Sequence, residues 1–228
     1  MHSFKLYTKW TWRSERHLRN IKACLKDRYR ERKYIMNDKQ NLHPPAAVTA
    51  IIDDSRTLGF EMLSEPLTGS LLRTLAGSKP AGKFLELGSG SGLSTAWLLD
   101  GMDSQSTLLT VDNDEQLLSV LHSHLGQDPR LKAVCEDGDE LITSLKGQQF
   151  DLIFADTWSG KYQMLEEALS LLKPGGLYII DDMLPQPNWP EGHAEKAAAL
   201  IDYLENLPSF SCTKLAWASG IMILSKTA

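Results

Sequence analysis

Short apolar runs alternate with amphipathic stretches along the chain from residue 83 onward. The apolar runs predict buried β-strands, which we place near 83–87, 107–112, 131–135, 150–155 and 177–181. The stretches between and after them carry apolar residues at helical spacing and predict helices near 93–100, 114–125, 138–146, 160–172 and 191–206. Strands that alternate with helices in this way are typical of a parallel sheet covered on both faces.

The two ends of this pattern differ from its middle. Residues 211–218 and 220–224 are two β-prone runs separated by a tight break, which predicts an antiparallel hairpin. Before the first strand, prolines open two predicted helices near 45–58 and 65–76. The whole pattern predicts an α/β fold: a Rossmann-like, doubly wound sheet of seven strands, mostly parallel and closed by the C-terminal antiparallel hairpin.

Length and charge divide the chain into two parts. At 228 residues with 42% hydrophobic content, it can bury one substantial core. The first 40 residues hold 12 of the 24 Lys and Arg residues but 4 of the 29 acidic ones, so a basic arm precedes an acidic body. We expect a basic helical extension over 1–40, with a helix near 10–35, and one globular domain over 41–228. The extension could dock on the body or a second subunit, move freely, or grip nucleic acid, and Met36 could be the natural start.

The cysteine content and the absence of a long apolar run indicate where in the cell the protein is found. Cys24, Cys135 and Cys212 are few, odd in number and widely spaced, which fits neither a disulfide framework nor a metal knuckle. No apolar run reaches the roughly eighteen residues of a transmembrane helix, and the N-terminus lacks the apolar stretch of a secretory signal. We therefore expect a cytoplasmic protein with no membrane partner.

Alternating glycines follow the first predicted strand. Residues 84–92 combine an apolar run, an acid and three glycines, which describes a strand turning sharply into a helix where a ligand can approach the backbone. Asp112 ends the next strand and would lie over the same crevice, where it could accept hydrogen bonds from a ribose. A dinucleotide fingerprint needs a glycine at its sixth position, where this chain has Leu93.

The spacing Glu86-x-Gly88-x-Gly90-x-Gly92 resembles the first motif of class I S-adenosylmethionine-dependent methyltransferases. A carboxylate near the loop suits the ammonium of that cofactor and would repel a pyrophosphate. From about Met62 to its C-terminus the chain resembles the small O-methyltransferases of the catechol and caffeoyl-coenzyme A type. This resemblance implies that S-adenosylmethionine is held by Met62, Ser64, Glu86, Gly88, Ser89, Gly90, Ser94, Asp112, Asn113, Asp137, Gly138 and Asp156.

The resemblance also implies a divalent cation. Asp156, Asp181 and Asp182 match positions where those families ligate a metal, and three hard oxygen ligands suit Mg²⁺ or another divalent cation. The family's usual third ligand is asparagine rather than Asp182, and Ser159 stands where catechol methyltransferases carry their catalytic lysine. Lys161, two residues further, is the candidate replacement. Without a metal, the aspartates would cap helices, orient the cofactor's ammonium or line the acceptor pocket.

A proline-rich loop from residue 183 to 193 follows directly on the predicted metal ligands. Trp189 could form a wall of the acceptor pocket, and His193 could accept a proton because its ordinary pKa is about 6.5. Alternatively, Trp189 packs in the core and His193 begins the next helix. The candidate catalytic residues are therefore Asp156, Lys161 and His193.

Together with the resemblance, these residues predict transfer of the cofactor's methyl group to a hydroxyl of a small acceptor such as a catechol, by in-line displacement. The resemblance also implies that the enzyme could form a homodimer through the N-terminal helices. An RNA methyltransferase is an alternative because of the basic arm, although Asp156-Thr-Trp-Ser replaces the Asp/Asn-Pro-Pro-Tyr motif of enzymes that methylate amines. The chain could also be a catalytically silent cofactor-binding module, as the serine at position 159 would suggest, or a nicotinamide oxidoreductase.

Overall fold

The computed structural model describes residues 36–187 and 189–227, and the elements below belong to the unit Asn41–Ala228. The helix predicted near 10–35 and Cys24 lie outside the described residues. No helix within the described ranges is long and apolar enough to cross a membrane.

One seven-stranded sheet forms the centre of the unit. Its strand order is β3-β2-β1-β4-β5-β7-β6; strands β1 to β5 are parallel, β7 is antiparallel to β5, and β6 is antiparallel to β7. The strands are β1 Lys83–Leu87, β2 Thr107–Asp112, β3 Leu131–Cys135, β4 Phe150–Ala155, β5 Leu172–Ile180, β6 Phe210–Leu215 and β7 Ile221–Lys226. The predicted mostly parallel sheet with its closing antiparallel hairpin is confirmed.

Helices cover both faces of the sheet. In the described part of the chain they are α1 Val48–Thr57, α2 Pro66–Gly77, α3 Leu93–Gly101, α4 Glu115–Leu125, α5 Gly138–Ser144, α6 Leu165–Ser170 and α7 His193–Glu205. On β4, Ile153 faces a core with α5, α6 and α7, while its neighbour Phe154 faces a second core with α2 and α3. Both faces of β4 are thus buried, which explains its nearly continuous apolar run.

The predicted boundaries of one helix and of the strand after it are wrong. The helix predicted near 160–172 is reduced to α6, and β5 begins at Leu172 rather than at 177. The register against β4 shifts so that Phe150 pairs with Leu172 and Leu152 pairs with Leu177. The extra residues lie on β5, between its first residue and its buried C-terminal part. The hydrophobic periodicity of the sequence does not reveal such an irregularity.

Candidate active site

The glycine loop turns the chain from β1 into α3. Gly88 has φ +89°, and a Cβ there would lie 2.8 Å from the Cβ of Thr157 and 3.0 Å from the carbonyl oxygen of Asp156. Gly92 precedes α3 with φ +95°, a conformation that residues with side chains rarely adopt. The loop therefore needs glycine for its backbone shape, and its start packs closely against the residues that follow β4.

Asp112 fastens the middle of this loop to the end of β2. Its Oδ2 accepts a hydrogen bond from the backbone N–H of Gly90 at 2.8 Å, and its Oδ1 accepts one from Asp114 at 3.0 Å. The structure thus brings Asp112 and the glycine loop together, as expected for the ends of two neighbouring parallel strands. Asn113, beside it, is exposed, whereas Ser89 and Ser94 are nearly fully buried at the loop and the first turn of α3.

Glu86 lies buried in β1 beneath the loop. Its Oε2 accepts hydrogen bonds from the hydroxyls of Thr95 and Thr110, both at 2.6 Å, while Oε1 is buried without a partner among the described residues. Burial raises the pKa of Glu86 and the charge of Asp112 adds to that rise, whereas the side chains of Thr110, Thr95 and Ser94 oppose it. A buried carboxylate oxygen without a donor is costly, so Glu86 is suited to face a cationic or protonated group.

The segment before α2 reaches across to the end of β4. The hydroxyl of Ser64 donates to Oδ2 of Asp156 at 3.1 Å, although the two residues are far apart in sequence. Met62, two residues earlier, is 70% exposed. The structure therefore joins two predicted cofactor residues, Ser64 and Asp156, at the carboxyl end of the sheet.

The third strand's end also contributes to this edge. Asp137 caps α5 by accepting hydrogen bonds from the backbone N–H groups of Asp139 and Glu140. A Cβ at Gly138 would lie 2.6 Å from the Cβ of Ser159. Ser159, at the position that the resemblance gives to the family's lysine, is therefore packed against the start of α5.

Two of the predicted metal ligands, and Lys161, have protein partners. Asp181 is 1% exposed, and its Oδ1 accepts hydrogen bonds from the hydroxyl of Ser219 and the backbone N–H of Asp182. Lys161 is 5% exposed, and its Nζ donates to the carbonyl oxygen of Asp181 at 2.6 Å. Asp156 interacts with Ser64 as described above. The hairpin between β6 and β7 thus supplies Ser219, a site residue that the sequence reasoning missed because the hairpin is remote in sequence.

Burial and mutual repulsion dominate the electrostatics of this cluster. Burial raises the pKa of Asp156 well above its usual range, and the charges of Asp181 and Asp182 add to that rise. Burial likewise raises the pKa of Asp181 to about 6. Burial lowers the pKa of Lys161, whereas the three carboxylates oppose that shift. The amine of Lys161 is therefore buried near three acids whose charges oppose the lowering of its pKa.

The described residues do not assemble the predicted metal site. Within the described ranges, no group of three His, Cys, Asp or Glu side chains could hold a metal ion. Asp182 adopts φ +57°, and the carboxylate of Asp181 is turned to Ser219 and to the amide of Asp182. The geometry thus does not support a cation on Asp156, Asp181 and Asp182.

Aromatic side chains gather beside Lys161. The hydroxyl of Tyr162 lies 3.2 Å from Nε2 of His193, and the ring centroids of Trp189 and His193 are 4.5 Å apart. Trp158 contacts Tyr162 edge-on at 5.4 Å and is 43% exposed. The Nζ atom of Lys161 is 5.4 Å from the Tyr162 ring centroid. We call Trp158, Tyr162, Trp189 and His193 the aromatic cluster.

His193 fits both roles that the sequence left open. It begins α7 and is 8% exposed, yet it also contacts the other three members of the aromatic cluster. Burial lowers its pKa, and the charges of Lys161 and Lys196 add to that shift. Trp158 and Tyr162 were not identified as site residues in the sequence analysis. Two aromatic residues four positions apart, shortly after Asp156, could have indicated them.

Comparisons with known proteins agree with the fold and with the class of enzyme that it suggests. Residues 85–183 match a family described as a methyltransferase domain. A protein from Mycolicibacterium vanbaalenii named "Putative O-methyltransferase" is 29% identical over 159 residues, which is 67% of this chain and 70% of that one. The fold and the match define a class I S-adenosylmethionine-dependent methyltransferase.

Solved structures share the fold over most of their length. The O-methyltransferase TomG from Streptomyces achromogenes, in complex with S-adenosylmethionine, has a TM-score of 0.73 at 17% identity and covers 84% of this chain and 94% of its own. An O-methyltransferase from Bacillus cereus, in complex with S-adenosylhomocysteine, has a TM-score of 0.69 at 20% identity. The match covers 89% of this chain and 97% of that one. The comparisons thus support S-adenosylmethionine-dependent O-methylation by this chain, which is similar to O-methyltransferases of the same fold.

Proposed function

We propose that the enzyme transfers the methyl group of S-adenosylmethionine to a hydroxyl on an aromatic small molecule. The aromatic cluster is the observation that carries this proposal. It lies next to Lys161 and Asp156, at the carboxyl end of the sheet where ligands of such folds bind. Rings prefer offset or edge-on contacts with other rings, so this wall favours a planar aromatic acceptor over an aliphatic one.

The cofactor would be held on the other side of the same edge. The glycine loop approaches closely, Asp112 accepts hydrogen bonds from the ribose, and Glu86 offers its unpartnered oxygen toward the cofactor's ammonium. Asp137, which caps α5, and Gly138 would contact the adenine, while Met62 and Ser64 would close the site from the N-terminal side. Asp156, bonded to Ser64, stands between the two ligands.

The reaction needs a proton acceptor for the hydroxyl. His193 is suited to this role because its lowered pKa keeps the ring neutral near pH 7, and its Nε2 lies beside the Tyr162 hydroxyl. The acceptor's proton would pass to Tyr162 while that residue's own proton passes to His193. The acceptor oxygen attacks the methyl carbon, the carbon–sulfur bond breaks, and S-adenosylhomocysteine leaves with both bonding electrons on sulfur.

A paired binding and transfer experiment tests this function. Calorimetry with S-adenosylhomocysteine measures cofactor binding, and release of labelled methyl groups onto catechols, phenols and aliphatic alcohols measures transfer. We expect binding, and transfer confined to the aromatic hydroxyls. Binding without transfer to any acceptor would favour a silent cofactor-binding module, and transfer to aliphatic alcohols alone would contradict the assigned acceptor class.

We also propose that the enzyme is cytoplasmic. We propose further that it forms a homodimer through its N-terminal helices and that residues 1–40 are a separate basic extension. Cys135 and Cys212 are free thiols, which fits a reducing compartment. Sedimentation of the full chain beside a chain that begins at Met36 would show whether the extension is needed for dimers. Cell fractionation would test the location.

A further inference from the structure

Lys161 is a long cationic side chain that is almost completely buried. Such a side chain is rarely buried without compensating charge, because removing an ammonium from water is costly. Here three carboxylates act on it, those of Asp156, Asp182 and Asp181. The three acids therefore favour the charged form of Lys161 at this buried position.

The position of the ammonium matters as much as its burial. Its Nζ is 2.6 Å from the carbonyl oxygen of Asp181 and 5.4 Å from the ring centroid of Tyr162. It thus lies between the acids at the ends of β4 and β5 and the aromatic cluster. A divalent cation among the same acids would be close to this ammonium, and the repulsion between them would be strong in a buried site.

The acids also have partners that a metal would have to displace. The carboxylate of Asp181 is occupied by Ser219 and by the amide of Asp182, and Asp156 accepts from Ser64. One oxygen of each of these two carboxylates therefore already has a hydrogen-bond donor.

We propose that the ammonium of Lys161 takes the place of the divalent cation that related enzymes are expected to use, so that methyl transfer by this chain needs no metal. The inference rests on the proposed function for its acceptor: the ammonium would donate a charge-assisted hydrogen bond to the acceptor oxygen as it becomes negative. Lys161 would then position and stabilise the attacking oxygen, while the proton leaves through Tyr162 and His193.

Metal binding is measured directly on the full chain, without reference to any acceptor. After dialysis against EDTA, Mn²⁺ is added up to about 1 mM and its free signal is followed by electron paramagnetic resonance. We expect no tightly bound Mn²⁺, and an unchanged transfer rate when EDTA replaces Mg²⁺. Stoichiometric Mn²⁺ binding that is lost in Asp181→Asn, or transfer that stops in EDTA and returns with Mg²⁺, would overturn the proposal.

The charge itself is tested with Lys161→Met, which keeps the length of the apolar stem, and Lys161→Arg, which keeps the charge. Lys146→Met, at an exposed lysine, is the matched control. We expect about a 100-fold loss of kcat for Lys161→Met and a smaller loss for Lys161→Arg. Retention of kcat within a few fold by Lys161→Met would contradict the role.

Thermal stabilisation by S-adenosylhomocysteine shows whether each variant still folds and binds cofactor. If Lys161→Met does not fold, the Mn²⁺ and EDTA measurements on the natural chain still decide the inference. If no acceptor is methylated, the proposed function fails by itself, because the Mn²⁺ measurement does not depend on turnover.

Discussion

The backbone amide of Gly90 donates a hydrogen bond to Oδ2 of Asp112 across 2.8 Å and ties the glycine loop to the neighbouring strand. One carboxylate therefore shapes the loop, and in the proposed function it also binds the ribose. The consequence is that Asp112 should matter for cofactor affinity more than for folding.

Asp112→Ala is expected to weaken binding of S-adenosylhomocysteine by about 10- to 100-fold, the value of one or two hydrogen bonds to a charged group. Isothermal calorimetry measures this change. Asp114→Ala is the matched control, because Asp114 caps α4 through the amides of Gln116 and Leu117. It should lower the free energy of unfolding by about 1 kcal/mol and leave affinity nearly unchanged. Equal affinities for Asp112→Ala and the natural chain would refute the assigned ribose contact.

Gly88→Ala should lower both stability and cofactor affinity. The new Cβ would meet Thr157 at 2.8 Å in addition to adopting a left-handed conformation. Gly147→Ala provides the control for conformation alone, because Gly147 has φ +86° and nothing lies within 4 Å of its added Cβ. We expect Gly147→Ala to cost about 1 kcal/mol and Gly88→Ala clearly more, as measured by urea unfolding. Equal costs would show that the contact with Thr157 is relieved at little expense.

Glu86→Gln should change how stability depends on pH. Because burial raises the pKa of Glu86 above its ordinary value of 4.5, the folded chain binds this proton more tightly than the unfolded chain does. The natural chain should therefore lose stability as pH rises from about 4.5 through the raised pKa. Glu86→Gln should lack that loss, so its relative stability should increase with pH. Glu191→Gln, on an exposed loop, controls for removal of a carboxylate, and parallel curves for Glu86→Gln and the natural chain would exclude the effect.

The pair of Tyr162 and His193 should appear in the pH dependence of the rate. Since the neutral imidazole accepts the proton, kcat should fall as pH drops through the pKa of His193, which lies below its ordinary value of 6.5. His193→Gln should remove this limb and lower kcat by about 100-fold, and Tyr162→Phe should lower kcat with cofactor binding unchanged. His122→Gln, in α4, is the control for loss of an imidazole. An unchanged acid limb in His193→Gln would assign the proton to another group.

Much of the fold was readable from the sequence. Strands β1 to β4 lie where their apolar runs predicted, because short apolar runs between turn residues mark strands without reference to distant partners. The start of β5 could not be predicted from the sequence, because the shift in its register depends on how it pairs with β4. The glycine loop and Asp112 were also predictable, because the ends of neighbouring parallel strands must meet at one edge.

What the sequence by itself determined was the sheet, the glycine turn and the acids at its edge, because these follow from local periodicity and from strand order. Only the tertiary structure decided what those acids face. It buried Lys161 against Asp181, brought Ser219 from the remote hairpin, and joined Trp158 and Tyr162 to His193. Contacts between loops depend on packing across the whole unit, and no local pattern in the chain encodes them.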